Sequence, residues 1–175
     1  MLTQDFIENE LISSTKQILK SDKQRMWLEN RHYRNNFFLE SCDKKYSYRT
    51  FLRYSDEFIE DFSVGLIWTN AVKYININKP IILLRCQGPH DSGKPLGADI
   101  HHSFHTHEIT PIDIMEHRYI KPRNKGITKE FSSFQSALFY FLSRCNIINS
   151  QAYIDFGKAD QMTLSDLTLG GEIND

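Results

Sequence analysis

Ile81-Ile82-Leu83-Leu84-Arg85-Cys86 is the stretch of the chain that decides its fold. Four consecutive apolar residues leave it without a polar face, so it predicts a strand that is buried on both sides at the centre of a sheet. Short turn-like segments separate this stretch from the runs before it, and connections of this length favour an antiparallel meander. Four such runs, rich in aromatic and β-branched residues, precede it at residues 36–40, 46–54, 58–68 and 72–77.

Two helices flank the strand-rich region in the sequence. Thr3 is suited to cap a long amphipathic first helix that runs to about Met26, with apolar residues at helical spacing. A second apolar stripe, rich in phenylalanine, predicts a helix from about Thr128 to Arg144. We therefore expect one α+β domain, in which an antiparallel β-meander of about five to six strands packs with an N-terminal and a C-terminal helix.

The region after the central strand predicts a loop and then a further strand. Residues 88–99 hold three glycines and two prolines and are typical of a loop. Residues 101–109 predict a strand, which we extend past Pro111 to Tyr119, and residues 152–156 predict one more short strand. The domain is expected to span residues 1–156, with residues 157–175 as a C-terminal tail that frays.

The composition is that of a folded protein without a strong overall charge. Hydrophobic residues make up 40% and aromatic residues 13% of the 175 residues, which is enough for the core of one domain. The formal net charge of −1 gives no bulk field of the kind that marks many nucleic-acid binders. The three cysteines form no Cys-x-x-Cys pair, which argues against a disulfide framework and against a thiolate zinc site.

Signals for targeting and for partners are few. No run approaches the ~18 apolar residues of a membrane-spanning helix, and the N-terminus is acidic where a secretory signal is basic. We therefore expect a cytoplasmic protein with no membrane partner. One local basic stretch follows the histidine-rich segment and is a candidate surface for RNA or for a protein partner. Its residues are Arg118, Lys121, Arg123 and Lys125.

Five of the seven histidines lie between His90 and His107. Imidazole is the side chain whose ordinary pKa, about 6.5, lies near neutrality, so it transfers protons or binds metals under cell conditions. Residues two apart on a strand share a face, which places His101, His105 and His107 on one side. If the two strands pair as a hairpin, His90 returns to that side with Arg85 beside it.

Three interpretations of these histidines are open from the residues alone. In the first, two histidines act as general base and general acid on an RNA phosphodiester, while Arg85 stabilises the charge that develops on the phosphate. In the second, His90, His105 and His107 bind Zn²⁺ or another divalent ion, with Asp91 or His101 completing the ligand set. In the third, the histidines form a buried hydrogen-bonded network or face water. The lack of cysteines and of dense carboxylates around them favours the first over the second.

The motifs around the histidines resemble those of small bacterial proteins. The resemblance rests on Leu83-Leu84-Arg85-Cys86-Gln87-Gly88-Pro89-His90, Phe104-His105-Thr106-His107-Glu108-Ile109 and a later helix that ends in Cys145-Asn146-Ile147. One uncharacterised bacterial family has an Arg and a His at a strand end, a His-x-His strand and a terminal helix closing in Cys-Asn-Ile. Both are similar to the TumE-type toxins of toxin–antitoxin pairs. The resemblance covers roughly residues 60–148.

The resemblance implies a toxin-type RNase from bacterial defence or mobile-element biology, with Arg85, His90, His105 and His107 at motif positions. We therefore predict a metal-independent endoribonuclease without a cofactor. His105 or His107 is the expected base, His90 the acid or phosphate donor, and Arg85 the electrophilic stabiliser. An antitoxin is then the expected protein partner. The alternative is a non-catalytic phage or mobile-element protein that binds and inhibits a host nucleic-acid-handling complex, with structural histidines.

Overall fold

The computed structural model describes residues 2–23, 25–90 and 99–154, and a nine-stranded sheet dominates this part of the chain. The strands are β1 (Lys16–Ser21), β2 (Trp27–Glu29), β3 (His32–Ser41), β4 (Ser47–Ser55), β5 (Phe62–Trp68), β6 (Ile81–Gln87), β7 (His105–Glu108), β8 (Asn124–Ile127) and β9 (Ile147–Ile148). The helices are α1 (Val72–Ile75), α2 (Pro111–Met115) and α3 (Phe134–Arg144). A π-helical segment (Phe6–Ile12) and two 3-10 turns (Ile100–His102 and Ser150–Ala152) complete the elements.

The sheet is built around an antiparallel meander that runs from β3 through β8 in chain order. Beyond β3 the order continues with β1 and then β9, and β2 pairs with the start of β3. The β1–β9 pair is parallel, whereas the other strand pairs are antiparallel. The predicted α+β class and the meander are therefore observed, with more strands than the five to six expected.

The core lies between one face of the sheet and the two longer helical segments. Apolar residues at alternate positions of β5 and β6 supply the sheet side, and α3 and the π-helical segment cover them. The buried residues on this face include Val64, Leu66, Leu84, Cys86, Leu138 and Phe141. Successive residues of a strand point to opposite faces of the sheet. The residues of β5 and β6 that alternate with these buried ones therefore lie on the opposite, more polar face.

The first helix is much shorter than predicted. Thr3 does accept a hydrogen bond from the Phe6 N–H at 3.1 Å, but the π-helical segment ends at Ile12. Ser13-Ser14-Thr15 then interrupts the helix, because such residues form it poorly and bond to nearby backbone instead. The buried Lys16 ammonium donates to the carbonyls of Ile12 and Cys145, which satisfies the ends of two helical segments at the start of β1.

Two predicted strand segments are helical in the structure. Residues 72–75 form α1 instead of a strand. The expected extension past Pro111 is α2, because Thr110 caps it in a capping box with Asp113 and Pro111 occupies its first turn. Residues 101–109 form a 3-10 turn and then β7, not one continuous strand.

The C-terminal elements also differ in their bounds from the prediction. The last long helix begins at Phe134, because Ser133 caps it, and not at about Thr128. At the predicted strand 152–156, a 3-10 turn ends at Ala152 and residues beyond 154 lie outside the described part, as does the predicted tail 157–175. In the described residues, no helix has the length and apolar character needed to cross a membrane.

Candidate functional site

The candidate site lies on the polar face of the sheet, where residues of adjacent strands form two lateral rows. The strand register places Phe51, Gly65, Arg85, His107 and Lys125 side by side across β4 to β8. The neighbouring row is Arg53, Ser63, Gln87, His105 and Ile127. Two histidines and two arginines therefore meet within two rows, because the antiparallel register aligns residues that are far apart in sequence.

Gly65 makes room for the contact between Phe51 and Arg85. A Cβ at Gly65 would lie 2.3 Å from Cζ of Phe51, so the ring occupies the space where a side chain would stand. The Arg85 guanidinium carbon lies 5.5 Å from the centre of the same ring, within the range of a cation–π contact. The missing side chain thus lets the residues on β4 and β6 touch across β5.

Arg85 carries a charge that the described residues around it do not neutralise. In the described residues no carboxylate forms an ion pair with it, and its buried Nε has no hydrogen-bond partner. Burial, followed by the positive charge of Arg53, lowers the pKa of Arg85 below its usual value. Both effects oppose the guanidinium charge, and an anion bound beside Arg85 would relieve both.

A groove of about 440 Å³ opens beside Arg85. Its lining residues are Phe51, Arg53, Asp61, Ser63, Arg85, Gln87 and His90. The lining is predominantly polar and holds two guanidinium groups and one imidazole. Among the described residues, the one carboxylate of this lining, on Asp61, lies 3.9 Å from Nη2 of Arg53. The groove therefore has a net positive lining next to a histidine.

The end of β6 brings His90 to this groove. A Cβ at Gly88 would lie 1.7 Å from the carbonyl oxygen of Glu60, so only glycine fits where the two backbones cross. The backbone N–H of His90 then donates to the carbonyl of His101 at 2.8 Å. This hydrogen bond joins the segment after β6 to the 3-10 turn before β7. The residues between them, 91–98, lie outside the described part.

Four imidazoles form a compact group beside the groove. The ring centres of His90 and His101 are 4.7 Å apart, and those of His90 and His105 are 5.4 Å apart. His101 and His105 are separated by 4.9 Å, and His105 and His107 by 5.0 Å. We call His90, His101, His105 and His107 the histidine cluster.

Hydrogen bonds determine where the protons of the histidine cluster lie. A carbonyl oxygen only accepts, so Nδ1–H of His90 donates to Gly88 at 3.0 Å and Nδ1–H of His105 donates to Ser103 at 2.7 Å. Nε2 of His105 therefore accepts from Nδ1–H of His101 at 3.2 Å. The Lys125 ammonium donates to Nε2 of His101 at 3.1 Å, which completes a chain in which every donor meets an acceptor.

Two members of the histidine cluster are buried and neutral. His105 is 0% and His107 is 6% exposed. Burial is the main cause that lowers the pKa of His105 to about 4, and nearby positive charges add to it. Burial, followed by His105 and Lys125, lowers the pKa of His107 to about 3. At neutral pH both rings are uncharged lone-pair donors.

The structure brings together all four predicted catalytic residues, but at different depths. Arg85 and His90 line the groove, whereas His105 and His107 lie buried behind them. His101, which we did not place among the catalytic residues, joins them because the 3-10 turn directs it toward the cluster. The sequence signal for this turn is Asp99, whose carboxylate accepts from the His101 N–H at 3.2 Å.

The remaining predicted site residues are more scattered. Asp91, an alternative metal ligand, lies outside the described residues. Arg118 is held by the carboxylates of Asp113 and Glu116. Arg123 lies 3.6 Å from Glu116. Of the predicted RNA-binding or partner-binding residues, only Lys125 contacts the histidine cluster, and Lys121 is exposed on the surface.

Three members of the histidine cluster have the arrangement of a metal ligand set. One nitrogen each of His90, His101 and His105 lies within 4.8 Å of the other two. Nδ1 of His101 and Nε2 of His105 are 3.2 Å apart, near the ~3.4 Å that separates two nitrogens on a tetrahedral zinc ion with Zn–N bonds of about 2.0–2.1 Å. His90 and His105 also give their other ring N–H to a backbone carbonyl, as metal-bound histidines commonly do.

Comparison of the chain with protein-family models, with curated proteins and with solved structures found no match.

Proposed function

We propose that this protein is a metal-independent endoribonuclease of toxin type. The observation that carries the proposal is that Arg85, a half-buried guanidinium without a carboxylate partner among the described residues, shares one groove with His90. Cleavage of an RNA phosphodiester needs both groups. It requires stabilisation of negative charge on the phosphoryl oxygens and proton transfer at the attacking and leaving oxygens. The motif resemblance to TumE-type toxins supports the same substrate.

The accessible residues define the proposed roles in catalysis. The ribose 2′-oxygen attacks phosphorus while Nε2 of His90 accepts its proton, and the bond to the 5′-oxygen breaks. The leaving oxygen takes a proton from the Lys125 ammonium, which also donates a hydrogen bond to Nε2 of His101 at 3.1 Å. Each transfer contributes about 10²–10⁴ in rate. Arg85 stabilises the negative charge that grows on the phosphoryl oxygens.

The buried histidines act in this proposal as positioning residues. His105 accepts a hydrogen bond from His101 and thereby keeps the His101 ring in one orientation. His107 lies beside His105 and opposite Arg85. The sequence predicted the general base at His105 or His107. We assign it to His90 instead, because fully buried nitrogens do not reach a substrate in the groove.

The test is cleavage of a single-stranded RNA by the purified protein, with and without EDTA. We expect cleavage that survives EDTA and leaves 2′,3′-cyclic phosphate ends, because the 2′-oxygen is the nucleophile. Products with 5′-phosphate ends would contradict the proposal, since they require attack by water. Failure to cleave any of a panel of RNAs, with the protein folded and its antitoxin absent, would contradict it as well.

A metal centre is the second candidate, and the grouping of His90, His101 and His105 nitrogens favours it. A zinc ion bound there would keep an open position and lower the pKa of a bound water to about 7, which suits hydrolysis. Metal analysis of the protein purified without chelators separates the two candidates. One equivalent of zinc, together with loss of cleavage on chelation, would replace the metal-independent mechanism with the metal-dependent one.

A further inference from the structure

We propose that the groove beside β4 to β6 is the binding site for one nucleotide of a single-stranded RNA, held by its phosphate on Arg85 and Arg53. This inference rests on the proposed function for the choice of RNA, whereas the phosphate site itself rests on the geometry of the groove. A volume of about 440 Å³ is that of a site for a ligand of roughly nucleotide size, and so one strand fits where a duplex does not.

The two guanidinium groups are the reason to expect a phosphate. The positive charge of Arg53 acts on Arg85 in the protein without ligand, and this repulsion is offset only weakly by Asp61, 3.9 Å from Arg53. Arg85 has no carboxylate of its own among the described residues, and its buried Nε–H is unpaired. A phosphate between them would accept from both groups and remove the repulsion, since guanidinium matches the geometry of phosphate oxygens.

Phe51 and Gly65 hold Arg85 in place for this role. The ring of Phe51 fills the space left by Gly65 and supports the guanidinium at 5.5 Å. A long side chain that is already restrained loses less freedom when it binds its ligand. Arg53 is restrained in a similar way, since its Nη2 donates to Nε2 of His32 at 2.8 Å. Both arginines that line the groove are therefore restrained before a ligand binds.

The charges also predict how removing the Asp61 carboxylate changes the affinity for a phosphate. Its carboxylate lies 3.7 Å from Nε2 of His32 and 3.9 Å from Arg53, on the lining of the groove. A phosphate entering the groove is repelled by this carboxylate, and Arg53 is partly neutralised by it. Removing the charge at Asp61 should therefore strengthen binding, whereas removing it at Arg85 or Arg53 should weaken binding.

The experiment measures binding of a fluorescent 2′-O-methyl RNA 12-mer, which the protein cannot cleave, by anisotropy at several salt concentrations. We expect Arg85→Gln and Arg53→Gln each to raise Kd about 10- to 100-fold. Each should also reduce the slope of log K against log salt by about 0.7, the contribution of one phosphate contact to a single strand. Asp61→Asn should lower Kd, and Lys73→Gln, which removes an exposed charge on α1, should leave it unchanged.

The outcomes of this experiment test the nucleotide site and the endoribonuclease proposal separately. Unchanged Kd and salt slope in both arginine variants, with folding verified by circular dichroism, would overturn the nucleotide site. Competition by inorganic phosphate as strong as that by the 12-mer would also overturn it, because the ligand would then be a small anion and not a nucleotide. Arginine-dependent binding by a protein that cleaves no RNA would support the groove and contradict the endoribonuclease proposal.

Discussion

Arg85 and His107 lie directly opposite each other on β6 and β7, on the polar face of the sheet. Arg85 is one of the positive groups that lower the pKa of His107, after burial, His105 and Lys125. In the described residues Nε2 of His107 is buried without a hydrogen-bond partner. A fixed positive charge therefore lies beside a neutral imidazole, so that the groove and the histidine cluster meet at this pair.

His90 is the member of the histidine cluster that lines the groove, so its replacement should have the largest effect on cleavage. We expect His90→Gln to reduce kcat/KM for RNA by about 10²–10⁴, because glutamine cannot take up a proton at neutral pH. His102→Gln is the matched control, since His102 lies in the same segment but contacts none of the cluster rings among the described residues. Equal activity of the two variants would contradict the role of His90.

His107 should contribute to stability as well as to the site. Its ring N–H donates to the Pro122 carbonyl, and the side chain is 6% exposed. We expect His107→Gln to lower the free energy of unfolding by about 1–3 kcal/mol, the usual effect of disturbing a buried polar group. Urea denaturation at pH 7 measures this loss, and we expect the m-value to be unchanged. A variant as stable as the natural protein but inactive would instead give His107 a direct role in catalysis.

The buried histidines predict that the protein loses stability in mild acid. The pKa values of His105 and His107 are about 4 and about 3 in the folded protein, against about 6.5 in an unfolded chain. Between these values the unfolded chain binds more protons, so stability is complete above about pH 6.5 and falls as the pH is lowered toward 4.

The expected loss from pH 7.5 to pH 5 is about 1–2 kcal/mol for each of the two histidines. Thermal unfolding at a series of pH values tests it, and His107→Gln should show a shallower decline than the natural protein over this range. Carboxylates add to the acid effect mainly below this range, because their ordinary pKa values are about 4. A flat profile between pH 7.5 and pH 5 would show that these rings are accessible to protons in the folded state.

Gly65 should be required for the position of Arg85. A methyl group at this residue would stand 2.3 Å from the Phe51 ring and 3.1 Å from the Leu84 carbonyl oxygen. We expect Gly65→Ala to displace the ring, to cost about 1–3 kcal/mol of stability and to weaken RNA binding. The double variant Gly65→Ala with Phe51→Leu should recover stability, because leucine vacates the ring position, but not RNA binding. Recovery of both would show that Phe51 does not support Arg85.

Local sequence patterns determined much of the sheet. The apolar run at 81–84 marked a strand buried on both faces, and alternation along β7 placed His105 and His107 on one side, because side-chain direction on a strand has a period of two residues. The same patterns failed where capping competed with strand propensity: Thr110 and Asp113 start α2 in a segment that also suits a strand. β8, with Asn124 and Lys125, has no apolar alternation and forms because β7 offers a free edge.

Only the tertiary structure decided the composition and depth of the site. Phe51, Gly65 and Arg85 are neighbours through strand register, which depends on every turn between them and is not encoded in any local segment. His101 reaches the histidine cluster through a 3-10 turn, and His105 is removed from the surface by packing. The sequence thus identified the candidate histidines and the candidate arginine, whereas long-range packing decided which of them face the groove, because burial depends on the whole fold.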